Sequence, residues 1–263
     1  MITATDITVA FGTRKVLDRV SFSAKAGEMS VIVGPNGSGK TTLLRAMTGE
    51  QAHTGTVALE GRRLSGISAL DLAQRRAVLP QSGNIAFPFT VLELVRLGLT
   101  AGLASRRTEQ LDNLPHAALE RVGLEGFEGR MVQELSGGER QRAQLARVLV
   151  QIWEPVLDGQ PRWLFLDEPV SALDIGHQLT VMQLAQDYAR QGGGVIAVMH
   201  DLNLTAMFAD RVTLLSAGRL AAEGAPKDVL RDDILSQSYD CTLRTNTPPP
   251  RGGPWLLPQA SLS

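Results

Sequence analysis

The 263-residue chain contains only one cysteine, Cys241, and no long apolar stretch. A lone cysteine excludes an intrachain disulfide framework and a cysteine-rich zinc site, and it favours a reducing compartment. No run approaches the roughly 18 apolar residues of a membrane-spanning helix, and the first residues, MITATDITVAFG, lack the basic start and apolar run of a signal peptide. We therefore expect a cytosolic chain that neither spans a membrane nor is secreted.

An excess of either charge is also absent, because 26 Lys and Arg oppose 27 Asp and Glu, for a net charge of -1. A dedicated nucleic-acid binder usually has a basic face and a high pI, so no nucleic-acid partner is expected. Hydrophobic residues make up 43% of the chain, which is enough for a sizeable core. This length favours one large domain, or a core domain that carries a subdomain.

Short apolar runs recur along the chain, and helical patterns lie between several of them. MSVIV, WLFLD and GVIAVM are apolar almost throughout, which is typical of strands buried on both faces of a mainly parallel sheet. RVTLLSAGRLAAEG repeats the pattern of an apolar run that ends in polar residues or a turn. Near the N-terminus, alternating positions predict further strands, with turns at Gly12 and Gly27. The sequence therefore predicts an α/β fold.

Residues 82–152 differ from the rest, because their apolar positions recur at three- and four-residue spacing without a convincing strand. This pattern predicts a helical subdomain inserted into an α/β core of residues 1–81 and 153–243. The segment 244–263 holds five of the 13 prolines and has no apolar period, so we expect a loose C-terminal tail.

The segment from Gly34 to Thr41, GPNGSGKT, fits the P-loop pattern G-x-x-x-x-G-K-[ST] and lies between a predicted strand and a predicted helix. Glycines let backbone N–H groups face a phosphate, and the following helix directs its positive end to the same place. Lys40 would contact the β- and γ-phosphates and Thr41 would bind Mg²⁺. A glycine-rich turn with a chance lysine is the alternative.

Two carboxylates, Asp167 and Glu168, follow the strand WLFL, at the sheet edge where open α/β proteins bind ligands. Asp167 is suited to hold magnesium, and Glu168 to act as the general base that polarises an attacking water. Alternatively, the pair caps a helix that begins near Pro169.

The sequence LSGGE begins at Leu135, and Ser136 is typical of a helix N-cap. Its two glycines leave backbone N–H groups exposed at the positive end of a helix, so the segment could bind a second anion. An ordinary helix cap explains the residues equally simply.

GPNGSGKTT, LSGGERQR, WLFLDEP and SALD, followed by His200 after GVIAVM, resemble the ATP-binding-cassette ATPases over residues 1 to about 240. The resemblance implies a P-loop NTPase core, RecA-like, with a mainly parallel sheet, an N-terminal antiparallel β region and an inserted helical subdomain. It also implies that LSGGE of one chain binds the γ-phosphate of ATP held by a second copy. Val170 replaces the threonine more usual in DEPTSALD, at a position without a chemical role.

Single positions can be matched to the family in the same way. Gln81 matches the glutamine that contacts magnesium or water and senses the membrane partner, and Asp174 matches the aspartate that crosses the dimer interface. His200 matches the histidine that contacts the γ-phosphate, and Phe11 lies where an aromatic ring stacks on adenine. Without the rest of the pattern, Gln81 would be interpreted as a surface glutamine, His200 as a structural histidine and Phe11 as a core phenylalanine. The implied nucleotide contacts are Phe11, Gly34, Pro35, Asn36, Gly37, Ser38, Gly39, Lys40, Thr41, Thr42, Ser136, Gly137, Gly138, Glu139 and Asp174.

The resemblance implies hydrolysis of ATP with Mg²⁺, with Glu168, His200, Gln81 and Lys40 as catalytic residues and with Thr41, Gln81 and Asp167 at the metal. It further implies a peripheral subunit at the cytoplasmic face of the inner membrane, bound to a permease dimer and served indirectly by a periplasmic binding protein. The permease would dock near Gln81 and the loop SGNIAFPFT, where Phe87 and Phe89 either line the contact or pack in the core.

Three segments, EPVLDGQPRW, IAFPFTVLELVRLG and SALDIGHQ, look most like the haem importer ATPases of Gram-negative bacteria. Importers of ferric siderophores or vitamin B12 share most of this pattern, so they remain alternatives. A soluble ABC protein acting on DNA or ribosomes is an alternative of another class, as is a nucleotide-binding regulator without useful turnover. The soluble proteins usually carry two cassettes or long coiled coils, and neither is visible here.

Overall fold

The computed structural model describes residues 1–81, 87–102, 112–248 and 258. The chain forms two compact units, the first made of Met1–Leu64 and Ile196–Ser263 and the second of Ser65–Val195. The boundary between them falls inside a strand, β10, which spans Gly194–Val198. Both units hold strands and helices, so we describe each by itself.

The first unit begins with an antiparallel sheet in the order β2-β1-β4-β5. Strand β1 buries Ile2 and Ala4 and, after a register shift, Ile7 and Val9, because successive side chains point to opposite faces of a strand on either side of the shift. The predicted N-terminal antiparallel region is therefore confirmed, although the fourth strand lacked a recognised signal. The strands are β1 (Ile2–Phe11), β2 (Arg14–Ala24), β4 (Thr54–Leu59) and β5 (Arg62–Arg63).

A second sheet of the first unit has the order β12-β11-β3-β10. Strand β3 (Met29–Val33) is buried at every position and runs parallel to β11 (Arg211–Ser216), as its apolar sequence predicts. The segment RVTLLSAGRLAAEG forms two strands, because β11 turns back into antiparallel β12 (Arg219–Gly224). The helices of this unit are α1 (Lys40–Thr48), α7 (Leu202–Phe208), α8 (Pro226–Val229) and α9 (Asp232–Tyr239).

The beginning of the proline-rich tail contacts α9. Both the backbone nitrogen and the hydroxyl of Thr245 donate hydrogen bonds to the carboxylate of Asp232, at 2.7 and 2.8 Å. Ser236 in the same helix exchanges hydrogen bonds with the backbone of Leu243. These bonds hold Thr245 against α9, and the expectation of a loose tail over residues 244–263 stays a prediction.

The second unit contains parallel strands β6 (Arg76–Leu79) and β9 (Trp163–Asp167), in the order β10-β9-β6. Strand β9 is buried throughout, as predicted. Val156–Leu157 and Gln160–Pro161, β7 and β8, form a short hairpin inside the segment EPVLDGQPRW. The helices are α2 (Ala69–Arg75), α3 (Val91–Gly102), α4 (Leu114–Arg121), α5 (Gly137–Gln151) and α6 (Ile175–Arg190).

The predicted helical subdomain lies entirely within the second unit. In its described part, α3, α4 and α5 pack against one another, and the only strand-like feature is an isolated bridge between Thr90 and Met131. The described residues of this region thus form helices and no strand, as the sequence pattern predicts. Across the described part of the whole chain, no helix is both long enough and apolar enough to traverse a bilayer.

Candidate nucleotide-binding site

The P-loop connects β3 to α1 in the first unit and depends on glycine at two crowded positions. Gly34 and Gly39 have φ angles of 147° and 100°, a region that residues with a side chain rarely adopt. A Cβ at Gly34 would overlap the carbonyl oxygen of Leu215, and one at Gly39 would collide with the side chain of Leu17. These two glycines therefore allow the loop to pass close to its neighbours while its backbone curves.

The positive end of α1 faces the loop, because Gly39 is the N-cap and provides no side-chain hydrogen bond. The N–H groups of the first helical turn are thus left for an anion. Lys40 is only 5% exposed, and its ammonium group donates to the carbonyl oxygens of Gly34 and Pro35 at 2.9 and 3.1 Å. The hydroxyl of Ser38 is buried without a hydrogen-bond partner among the described residues, as suits a ligand of phosphate.

Two further predicted site residues of the first unit lie at the ends of strands. Phe11 ends β1 and is 55% exposed, so the alternative that it belongs to the core is wrong. A free aromatic face is what stacking on a base requires. His200 is exposed and follows β10, directly before Asp201, which caps α7 through its carboxylate.

In the second unit, β9 ends in the predicted pair of carboxylates. Asp167 is buried, whereas Glu168 is half-buried and has a left-handed backbone with φ of 54°. The next helix, α6, begins at Ile175 and not near Pro169. The alternative that the pair caps this helix is therefore wrong, because five residues lie between Glu168 and Asp174, the true N-cap.

Asp174 caps α6 by accepting hydrogen bonds from the backbone nitrogen and the ring Nδ1 of His177, at 2.9 and 2.8 Å. The backbone bond is the main reason why the pKa of Asp174 is lowered from its ordinary value. The carboxylate is therefore held in its charged form at an exposed position. A role across a dimer interface stays a prediction.

The LSGGE segment forms the start of α5, as predicted. Ser136 accepts a hydrogen bond from the nitrogen of Glu139, and the Glu139 carboxylate accepts one from the nitrogen of Ser136 at 2.7 Å. This capping box lowers the pKa of Glu139, mainly through the bond from the Ser136 backbone. Gly138 lies against Ala172, where an added Cβ would come within 3.0 Å of the carbonyl oxygen. The N-cap is confirmed, and anion binding stays a prediction.

The region expected to meet a membrane partner is only partly described, because residues 82–86 lie outside the described ranges. Gln81 follows β6 and is exposed. Phe87 is 70% exposed and its ring centroid lies 5.9 Å from that of half-buried Phe89. Core packing is therefore wrong for Phe87, because so large an exposed aromatic surface leaves most of the side chain in water.

The family model for ABC transporters matches residues 17–171, more than half of the chain, and includes the P-loop, LSGGE and the carboxylate pair. The chain belongs to the ABC transporter family. The ATPase activity that the resemblance to ABC ATPases implies is thus confirmed.

Relatives within the ABC family match nearly the whole chain. The Hemin import ATP-binding protein HmuV of Jannaschia sp. (strain CCS1) is 62% identical, covering 98% of this chain and 94% of its own length. The protein of the same name from Mesorhizobium japonicum is 54% identical over all of both chains. Both bear the name of an importer subunit.

A solved structure confirms the fold class. The structure described as the dimeric structure of MJ0796, a bacterial ABC transporter cassette, has a TM-score of 0.74 and 27% identity. It covers 86% of this chain and 99% of its own. The α/β fold of the P-loop NTPase type, expected from the resemblance to ABC ATPases, is thus confirmed.

Two residues that touch this ABC site were missed in the sequence. Gln141 donates to the carbonyl oxygen of Glu168 at 2.9 Å. Burial raises the pKa of the Tyr239 phenol, and the backbone of Gly34 lowers it by a smaller amount. The Tyr239 hydroxyl therefore lies beside the P-loop. Neither contact had a local signal, because the partners are 27 and 205 residues apart in the sequence.

Proposed function

We propose that this chain is the ATP-hydrolysing subunit of an importer that carries haem across the inner membrane. The observation that carries the proposal is the 62% identity, over 98% of the chain, to a protein named for hemin import. The residues of the site support ATP hydrolysis. They carry no information about the cargo, because haem would pass through a separate permease and would not contact this chain. The relatives therefore support the cargo, and the site supports the reaction.

The proposed reaction is in-line attack of water on the γ-phosphate of ATP, in which the bond from the γ-phosphorus to the β–γ bridging oxygen breaks and ADP leaves. Glu168 accepts the proton of the attacking water, while Lys40 and His200 offset the charge that develops on the phosphate oxygens. The P-loop backbone and α1 hold the phosphates, and Phe11 stacks on adenine. Three observations support these roles: the ammonium group of Lys40 is buried, the ring of Phe11 is exposed, and the Ser38 hydroxyl has no hydrogen-bond partner in the part of the chain that the structure describes.

Magnesium fits the donor set of the proposed site. Thr41, Gln81 and Asp167 offer a hydroxyl, an amide and a carboxylate oxygen, and Mg²⁺ prefers oxygen ligands. These three residues would hold the ion, and its positive charge would offset the negative charge of the phosphates. In this chain, Asp167 is buried at the end of β9, a strand that is buried at every position.

The proposed assembly contains two copies of this chain and a permease dimer. LSGGE of one copy would bind the γ-phosphate held by the P-loop of the other, with Asp174 at the interface. The dimeric cassette that resembles this chain supports the pairing. The exposed ring of Phe87 supports a contact with the permease, and the proposed position of the subunit is the cytoplasmic face of the inner membrane. A periplasmic binding protein would deliver the cargo to the permease.

Haem-dependent ATP hydrolysis in the reconstituted transporter tests the proposed cargo. The chain would be purified with its permease, placed in lipid vesicles and supplied with the cognate periplasmic binding protein, and phosphate release would be measured. We expect haem-loaded binding protein to raise the rate above that with the empty protein. The coupling should also produce haem accumulation in the vesicles.

Two controls test the haem assignment and the ATPase activity independently of each other. Vesicles containing the Glu168→Gln chain should release little phosphate with or without haem. If vitamin B12 or a ferric siderophore stimulated the wild-type transporter and haem did not, the haem assignment would be wrong although ATP hydrolysis would stand. Co-purification with ribosomes or DNA, without any permease, would contradict transport itself.

A further inference from the structure

The backbone of Glu168 is held in an uncommon conformation at the place where the proposed reaction needs its carboxylate. Its φ of 54° lies in the left-handed region, which disfavours residues with a side chain. Such a conformation persists only where neighbouring groups impose it. The contacts that impose it also set the direction in which the Glu168 side chain leaves strand β9.

Three donors meet the carbonyl oxygen of Glu168. Two belong to Ser171 in the same turn, whose nitrogen and hydroxyl lie at 3.4 and 3.2 Å. The third is the amide of Gln141, at 2.9 Å, the shortest of the three. Of these three donors, Gln141 is the one outside the turn, and it makes the shortest hydrogen bond.

The same Gln141 amide holds the other end of this turn, because its oxygen accepts a hydrogen bond from the nitrogen of Ala172 at 3.3 Å. A glutamine amide can do both because it carries a donor and an acceptor. Gln141 lies on α5, one turn beyond Gly138, which contacts Ala172. Through Gln141, the helix that begins at LSGGE thus forms hydrogen bonds with two backbone groups of the segment 168–172, the oxygen of Glu168 and the nitrogen of Ala172.

We propose that Gln141 is a positioning residue for ATP hydrolysis, which fixes the backbone of Glu168 and thereby aims the carboxylate of the proposed general base. The inference rests on the proposed role of Glu168 but adds a residue outside the strand and turn that carry it. It also gives α5 a second role beside its N-terminal cap. Loss of the amide should misplace the carboxylate without disturbing the P-loop, where ATP binds.

Replacing Gln141 by Met tests the inference, because methionine keeps the length of the side chain and removes both hydrogen bonds. We expect kcat for ATP hydrolysis to fall about 10- to 100-fold, the usual cost of a small misplacement of a catalytic group. The ATP concentration at half-maximal rate and the directly measured Kd for ATP should remain unchanged. Gln141→Glu should show a similar loss, since a carboxylate can accept from Ala172 but cannot donate to Glu168.

Gln151→Met is the matched control on the same helix. Gln151 also donates two hydrogen bonds to backbone oxygens, those of Ala73 and Arg76, at 2.8 and 3.0 Å. Both of these bonds go to residues other than Glu168, so kcat for Gln151→Met should stay at the wild-type value. Equal kcat values for Gln141→Met and Gln151→Met, or a loss of ATP affinity in Gln141→Met, would overturn the inference.

A double variant separates this inference from the role of Glu168. If Gln141 acts through Glu168, Gln141→Met should cause no further loss of kcat in a Glu168→Gln chain, because residues that act as one unit are not additive. If kcat of the double variant fell further by the same factor, Gln141 would act on a group other than Glu168. Normal turnover in Glu168→Gln alone would overturn the proposed general base, whereas normal turnover in Gln141→Met alone overturns only its positioning role.

Discussion

Replacing Glu168 by Gln should lower the rate of ATP hydrolysis by about 10²- to 10⁴-fold, the scale expected for loss of a positioned acid or base. Glutamine has the shape of glutamate but cannot accept the proton of the attacking water. ATP binding should persist, because the P-loop and Lys40 lie on the first unit and are unchanged. Single-turnover phosphate release and equilibrium ATP binding measure the two effects separately.

The control for this experiment is Glu125→Gln, which makes the same chemical change at an exposed position of the same unit. Its turnover should equal that of the wild type. Near-normal turnover in Glu168→Gln would remove this residue from its proposed role and would favour another base or direct attack by water.

Replacing Lys40 by Ala should weaken ATP binding by about 10- to 100-fold, since a hydrogen bond to a charged group contributes about 1.5 to 3 kcal/mol. The ammonium group is bonded to two carbonyl oxygens of the P-loop, Gly34 and Pro35, so it already lies inside the loop that would receive the phosphates. Calorimetric titration with ATP and Mg²⁺ gives the change in Kd. Hydrolysis should fall as well, because the same charge would stabilise the transition state.

Lys25→Ala provides a matched control, because Lys25 is exposed and belongs to the same unit. Its Kd for ATP should equal that of the wild type. Thermal unfolding of both variants must be compared, since Lys40 also holds two backbone groups of the loop. Unchanged ATP affinity in Lys40→Ala, in a folded protein, would contradict the proposed phosphate contact.

Much of the fold was visible in the sequence because its signals are local. The uninterrupted apolar runs of β3 and β9 indicate strands covered on both faces, and both are fully buried. The P-loop lies between the predicted strand and helix, and Ser136 caps its helix with Glu139, as expected of residues three apart. These features depend on neighbours within a few residues, so periodicity and spacing suffice to find them.

The features that the sequence did not reveal depend on distant contacts. Strand β6 is only four residues long and is stabilised by pairing with β9, about 87 residues later. The start of α6 was misplaced because proline after Glu168 is typical of a first helical turn, whereas Asp174 and His177 provide the actual cap. Gln141 and Tyr239 lie at the site because of contacts between residues that are distant in the sequence, and no local sequence pattern predicts such contacts.

The most direct test of this account is the molar mass of the Glu168→Gln chain in solution, measured by light scattering with and without ATP and Mg²⁺. Because this variant should bind ATP without hydrolysing it, we expect the mass of one chain without nucleotide and of two chains with it. Adding Lys40→Ala should return the mass to that of one chain. A mass that stays at one chain while ATP is bound would contradict the proposal that two copies enclose the nucleotides between P-loop and LSGGE.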